Sequence, residues 1–300
     1  MEHVDGIPVR RRRVRPMPYL LLGPAVLALA LMLGFPLVRL VTLALQNFGL
    51  KQQFGAPAKW VGFRNFRAIL SDNEFWTVLR RTLVFCAVNV ALTMAIGMAV
   101  ASLLNVLGKK MRLLTMIGLM LAWSMPALTA TVIWQWIFDT QYGIANWVLG
   151  RQGHSWLSNP LTFYFVATII VVWMGVPFIA FTLYAGLTTI PGEMMEAASI
   201  DGATPMQRFR DIVVPSLKPI LLILTSLSVL WDFRVFTQVY VLQRAGGINR
   251  DTNLLGVYAY RISIGSSHFD KGAAVAIVMV LITVLMTLFY LRSMVRQEEL

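Results

Sequence analysis

The chain has 300 residues, of which 57% are hydrophobic and only 13% charged, with a formal net charge of +12 and a mean hydropathy of +0.68. A water-soluble domain carries about a quarter charged residues, so lipid is the expected solvent for much of this chain and a soluble two-domain protein is excluded. The positive balance reads as basic residues flanking membrane spans, and no nucleic-acid partner is expected.

Arg10, Arg11, Arg12, Arg13 and Arg15 precede the first apolar run, which marks residues 1–17 as a basic segment kept in the cytoplasm. A helix that crosses the bilayer needs roughly 20 apolar residues. Such stretches run over Pro18–Leu45, Val78–Leu104, Leu113–Phe138, Thr162–Leu187, Leu217–Leu242 and Gly272–Leu291. The first is too long for a signal-peptide core and further spans follow, so it reads as an uncleaved helix. Period-two alternation is lacking, so strands are not expected.

The fold class is therefore all-α: a polytopic membrane protein of about six transmembrane helices. One domain covers 18–292, an inner loop covers 190–216, and 293–300 form a cytoplasmic tail. An even number of spans returns the C-terminus to the cytoplasm. Lys109, Lys110 and Arg112 in a tight inner loop, with Arg292 and Arg296 after the last span, agree with this orientation. Lys51, Lys59, Arg64, Arg67, Arg80 and Arg81 in the first outer segment run against it.

Between the spans, Trp60, Phe63, Phe66, Phe75, Trp76, Trp147 and Trp156 read as anchors in the membrane interface. Cys86 is the single cysteine, so no internal disulfide forms. His3, His154 and His268 are too far apart in sequence to suggest a metal site. Arg39, toward the end of the first span, is placed to snorkel.

Polar solutes cross near the bilayer midplane, and sugars suit aromatic faces with a few hydrogen-bonding groups. Three segments offer these: Trp123-Ser-Met-Pro126, Trp173-Met-Gly-Val-Pro-Phe178 and Trp231-Asp-Phe-Arg234. The prolines free backbone groups that must face protein or a water-filled cavity. Asp232 and Arg234, two apart on a helix, do not share a face. They serve either solute recognition or a structural pair with a second subunit.

The loop 190–216 is the most informative segment. Pro191, Glu193 and Glu196 suit a helix N-terminus. Gly202 suits the left-handed residue that ends that helix. Thr204-Pro-Met-Gln207 is a capping box that starts the next helix, and Pro215 and Pro219 bend the chain into the fifth span. The result is a short helical elbow projecting from the membrane.

Glu196-Ala197-Ala198, Asp201-Gly202-Ala203, Phe209, Ile212, Pro215 and Pro219 resemble the cytoplasmic "EAA" loop of binding-protein-dependent ABC importer permeases. Trp60-Val-Gly-Phe-Arg-Asn-Phe66, Phe138-Asp-Thr-Gln-Tyr-Gly-Ile-Ala-Asn146, Trp173-Met-Gly-Val-Pro177, and Tyr258 through Ala274 are similar to the maltose-type large-subunit sugar permeases. The resemblance covers about residues 18–292. One departure is Gln243-Arg-Ala-Gly-Gly-Ile248, where family members often carry a Thr-x-Gly-Gly-Pro turn.

The resemblance implies a type I ABC importer permease fold and import of a sugar or similar polar solute. It makes Glu196, Ala197, Ala198, Asp201, Gly202, Ala203, Phe209 and Pro215 the coupling segment that docks on an ATPase. It puts solute contacts at Trp123, Ala127, Val171, Trp173, Met174, Gly175, Phe178 and Phe233, with Asp232 added as a candidate. The implied partners are a second permease subunit, two copies of an ABC ATPase subunit and an extracellular solute-binding protein. No Gly-x-x-x-x-Gly-Lys-[Ser/Thr] loop occurs, so ATP and magnesium belong to the ATPase and no cofactor is expected on this chain. The alternatives are an ion-coupled secondary transporter, for which Asp232 is the only acid well inside a span, and a membrane-embedded enzyme, for which no catalytic cluster is visible.

Overall fold

The computed structural model describes residues 17–298. The expected basic segment, apart from Met17, lies outside the described residues, as do residues 299 and 300 of the expected tail. Helix α1, Met17–Leu45, matches the first expected span and continues through Pro24 and Pro36. From Leu21 to Val38 nearly every side chain is open, Met32 by 76%.

A two-residue hairpin, β1 Gln46–Asn47 with β2 Lys59–Trp60, encloses α2, Leu50–Gln53, and leads to α3, Arg64–Leu70. The Trp60–Phe66 motif is a clasp here. Gly62 adopts φ +58° to make the corner. Buried Asn65 then donates its Nδ2 to the carbonyls of Ala44 at 2.9 Å and Gln46 at 2.8 Å. These bonds tie the end of α1 and the start of β1 to α3, and the Ala44 carbonyl is one that the end of α1 leaves open.

Helix α4, Asn73–Val106, starts on the Asp72 side chain, which accepts the N–H of Glu74 at 2.8 Å. The third span is not one helix. It is α5, Lys109–Trp123, and α6, Ala127–Ile137, set at 101° across the break. Pro126 has no N–H to give and disfavours helix at Met125, so the continuous Leu113–Phe138 helix read from hydropathy is corrected to a broken one. Helix α7, Ile144–Val148, lies in the following loop, and α8, Pro160–Leu187, crosses the molecule without a break at Pro177.

The elbow is α9, Gly192–Ile200, followed by α10, Pro205–Arg208. Helix α10 does not stop. It passes through a π turn, Phe209–Val213, into α11, Val214–Asp232. Pro215 cannot bond back to Asp211, and a wide turn just before it absorbs the mismatch. The fifth span then breaks at 233–236 and resumes as α12, Thr237–Arg244. Short helices α13, Asn249–Thr252, and α14, Leu255–Tyr260, precede a second π turn, Arg261–Gly265, and the last helix α15, Phe269–Glu298. Among the described residues five helices are long and apolar enough to cross a membrane, six with the bent pair counted as one span.

Helix α8 is the spine. It runs parallel to α4, because a Cβ on Gly175 would lie 2.9 Å from Thr93 Cγ2 and one on Gly97 only 2.5 Å from Ile179 Cγ2. Small residues at these two points let the backbones approach closely, as spanning helices require where no hydrophobic effect separates helix from lipid. Toward the elbow, α8 packs with α11 around Ile179, Leu183 and Leu217. Helix α15 closes the other side, its Ala274 packing in one cluster with Val78 and Phe233. Two expected interface anchors are corrected here: Phe75 and Trp156 are buried, Phe75 in the α15 cluster and Trp156 beside Phe138. Trp60, Phe63 and Trp147 stay exposed. Arg39 lies over the Phe48 ring at 5.4 Å.

Candidate functional site

The elbow is held by backbone geometry. The N–H of Ala203 reaches the carbonyl of Ala198 at 2.9 Å and that of Gly202 reaches Ser199 at 3.1 Å, with Gly202 at φ +79°. This pair of bonds is the Schellman ending, which needs a left-handed residue where Gly202 stands. Thr204 then caps α10: its N–H donates to Gln207 Oε1 at 2.7 Å, and the Gln207 N–H returns to Thr204 Oγ1 at 3.3 Å. Arg208 Nη1 donates to the Ser199 hydroxyl at 2.5 Å and braces α9 to α10.

Glu196, Ala197, Asp201, Gly202 and Pro215 are exposed. Ala198 and Ala203 are half-buried. Phe209 differs from the rest, packing with Met195 and Ile190 onto the Leu183–Leu217 cluster; it anchors the elbow instead of presenting a surface. Met194, Ile200 and Met206 are exposed by 47%, 86% and 72%. Three large apolar side chains are thus left open on the elbow.

Near mid-span lies an aromatic face. Trp123, at the broken end of α5, stacks on Phe178 of α8 with centroids 6.0 Å apart and planes at 26°. Trp231 of α11 meets Phe178 edge-on at 5.2 Å. Trp123 and Trp231 are both about half exposed, so the break at 124–126 brings three helices' aromatics to one open face. Ala127 begins α6 beside it and is half-buried. Trp173 belongs to a second group, edge-on to Trp134 at 5.8 Å. The Met174 sulfur accepts from Gln238 Nε2 at 3.6 Å.

The remaining candidates are not on this face. Gly175 faces Thr93 and serves the α4–α8 contact. Val171 is buried in the cluster around Phe163 and Val239. Phe233 is 1% exposed, among Val78, Ala274 and Leu255; it holds α15, and the expectation of solute contact is withdrawn for it. Asp232 is buried on the α11 stripe formed with Leu217, Leu224 and Ser228. It forms no ion pair with Arg234 among the described residues; Arg234 Nε donates to the Leu230 carbonyl at 3.0 Å instead. Trp231 is not among the contacts that the resemblance implies, although its segment is a candidate; the 217–224–228–232 spacing leaves it just off the buried stripe.

At the end of the molecule opposite the elbow, the loop after α6 is organised by buried Asn146. Its Nδ2 donates to the carbonyls of Asp139, Thr140 and His154, and its Oδ1 accepts Trp156 Nε1 at 2.7 Å. Asp139 Oδ1 accepts the N–H groups of Tyr142 and Gln141, which hold its carboxyl below the ordinary 3.8. Among the described residues no cluster of His, Cys, Asp and Glu is arranged to hold a metal.

Comparison with known proteins places this geometry. The family of binding-protein-dependent transport system inner membrane components matches residues 91–298. The diacetylchitobiose uptake system permease protein of Streptomyces coelicolor is 44% identical over 94% of this chain and 88% of its own length. The sulfoquinovosyl glycerol transport system permease protein of Agrobacterium fabrum is 31% identical over 93% of this chain and 90% of its own. Among solved structures, a chain of a bacterial ABC transporter that imports the acidic polysaccharide alginate superposes with a TM-score of 0.80, covering 93% of this chain and 95% of that one, at 19% identity.

Proposed function

The chain belongs to the family of binding-protein-dependent transport system inner membrane components, and on that premise we propose that it carries a sugar of about disaccharide size across the membrane, driven through its elbow by a separate ATPase. It is a multi-pass permease subunit of an ABC importer. ATP hydrolysis is the work of a partner subunit, and the ion-coupled alternative is set aside.

The observation that carries the reading is the elbow. It is rigid through the Gly202 corner and the Thr204 cap, anchored to α8 and α11 through Phe209, and open along its apolar tip. A lever needs those three properties together: a surface to be pushed, stiffness, and attachment to the spans it moves. In this reading Glu196, Ala197, Ala198, Asp201, Gly202 and Ala203 dock on the ATPase. The elbow and both termini are cytoplasmic, and a solute-binding protein docks on the opposite end near Asn146. A second permease subunit supplies the other half of the path. Trp123, Phe178 and Trp231 offer the aromatic face that the apolar sides of a pyranose ring stack upon. The sugar class is supported by the relatives that take up diacetylchitobiose and sulfoquinovosyl glycerol.

The test is reconstitution of the whole assembly in proteoliposomes with its binding protein and internal ATP. Uptake of N,N′-diacetylchitobiose, maltose and a glycerol glycoside is followed in parallel. ATP-dependent uptake of one of these supports the proposal. Uptake driven by a pH gradient without ATP, or no sugar uptake beside a demonstrated non-sugar substrate, defeats it.

A further inference from the structure

We propose that a groove between α4 and α8 holds an acyl chain of an anionic phospholipid of the bilayer, with its phosphate on Arg80 and Arg81. The groove encloses about 760 Å³. Its walls are Val84, Val88 and Leu92 of α4 and Leu161 and Phe165 of α8, each at least 40% exposed. Its polar end is set by the two arginines.

Depth decides what fits. Helix α4 rises by about 1.5 Å per residue, so Arg81 and Leu92 are about 16 Å apart along the axis. That is close to one leaflet of a hydrocarbon core of about 30 Å. A spanning helix from another subunit would need a furrow running the full thickness; an acyl chain needs this much and no more. Because α4 and α8 run parallel and α8 leads into the elbow, the arginine end lies at the surface opposite the elbow. The phosphate of a lipid in that leaflet sits at the depth of the two guanidinium groups.

Charge points the same way. Arg81 already has partners, Asp251 at 3.7 Å and the Arg250 carbonyl at 2.9 Å. Arg80 is exposed and forms no ion pair within 4 Å among the described residues. One carboxylate is thus set against two guanidinium groups at the mouth of an apolar slot. An anionic headgroup balances the remainder, and Arg can grip a phosphate with paired N–H bonds.

The experiment uses the intact transporter complex in phosphatidylcholine nanodiscs, with phosphatidylglycerol as the titrated probe. Native mass spectrometry reads phosphatidylglycerol retained by the wild type, Arg80→Glu, Arg80→Gln and the control Arg64→Glu. Removing one such arginine contact weakens retention by about fivefold, with the control unchanged. In a second arm a photo-reactive benzoylphenylalanine replaces Val88 in the assembled complex. A lipid adduct there, together with the loss in both Arg80 variants, supports the site. An adduct to the second permease subunit, no adduct, or unchanged retention overturns it. Neither arm reads transport, so a complex that fails to move sugar leaves this result standing.

Discussion

Arg208 reaches across the elbow to Ser199, its Nη1 donating to the hydroxyl at 2.5 Å. The two residues belong to different helices joined only by the corner at 201–204. Their contact fixes the angle at which α9 stands out from the spans. Such a bond from a charged donor at a partly exposed site contributes ~1 kcal/mol, which is about fivefold in the population holding that angle. Arg208→Ala is expected to lower transport-coupled ATP hydrolysis by that factor while the uncoupled rate and membrane insertion stay unchanged. Arg208→Lys should restore part of it. Equal loss of coupled and uncoupled rates would show the brace to be irrelevant to docking angle.

Gly202 sits at φ +79° with open space where a Cβ would go, so substitution there is limited by the backbone alone. A β-branched residue in the left-handed region costs about 1–2 kcal/mol. Gly202→Val is expected to lower uptake by about 5- to 30-fold, because the Schellman corner opens and α9 turns away. Gly202→Asn, which tolerates that region, should retain most of it. Immunoblots of membranes should find both variants inserted at wild-type levels. Full uptake by Gly202→Val would mean that the corner does not transmit force.

The contact of Gly97 with Ile179 predicts a size exchange. A Cβ on Gly97 would come within 2.5 Å of Ile179 Cγ2 and 2.9 Å of its Cβ, so Gly97→Ala forces α4 off α8 at a cost of about 1–3 kcal/mol. Removing both clashing atoms in Gly97→Ala/Ile179→Gly relieves the clash, so in detergent the double variant should melt higher than the sum of the two single losses allows. Additive losses would instead mean that the two residues do not couple.

Each of the six apolar stretches falls on helix among the described residues, because membrane thickness dictates the length of an apolar run. The elbow was legible too, since Gly202 and the Thr204–Gln207 pair are local devices whose chemistry does not depend on distant residues. The break in the third span was visible as Pro126 but its 101° bend was not, because a proline sets only a weak point and the packing of α5 and α6 on α8 sets the angle. Which aromatics are buried is the least legible. Phe233 and Trp231 are both aromatic and two apart, and which one faces outward depends on the register of α11 against α15 and α8. Asn146 is visible in sequence only as the end of the Phe138–Asn146 motif, and its role as a hub exists only once three carbonyls and Trp156 are folded around it.

The turn after α6 should respond to acid. Hydrogen bonds from Tyr142 and Gln141 hold the Asp139 carboxyl below its ordinary 3.8. A lowered value means that the charged form stabilises the fold. That contribution is complete above pH 3.8 and is lost as pH falls through the lower folded value. Hydrogen–deuterium exchange at Tyr142, corrected for its intrinsic pH dependence, is expected to accelerate below that point in the wild type. Asp139→Asn should show no such acceleration. Matching profiles would remove the carboxylate from any part in holding the turn.

Trp231 and Phe233 separate solute contact from packing. Trp231 is 44% exposed and edge-on to Phe178, while Phe233 is 1% exposed within the α15 cluster. If sugar passes over the open aromatic face, truncating Trp231 or Trp123 removes a stacking surface worth ~1 kcal/mol. Half-saturation for uptake should then rise about fivefold without loss of protein from the membrane. Truncating Phe233 instead leaves a cavity between α11 and α15, at about 3–5 kcal/mol; its expected signature is a lower yield of assembled complex whose surviving molecules keep the wild-type KM. The reverse pattern, a raised KM for Phe233→Ala with Trp231→Ala unchanged, would move the solute path to the other side of α11. Because α11 buries the stripe 217–224–228–232 against α4 and α8, that outcome would require the helix to rotate during the transport cycle.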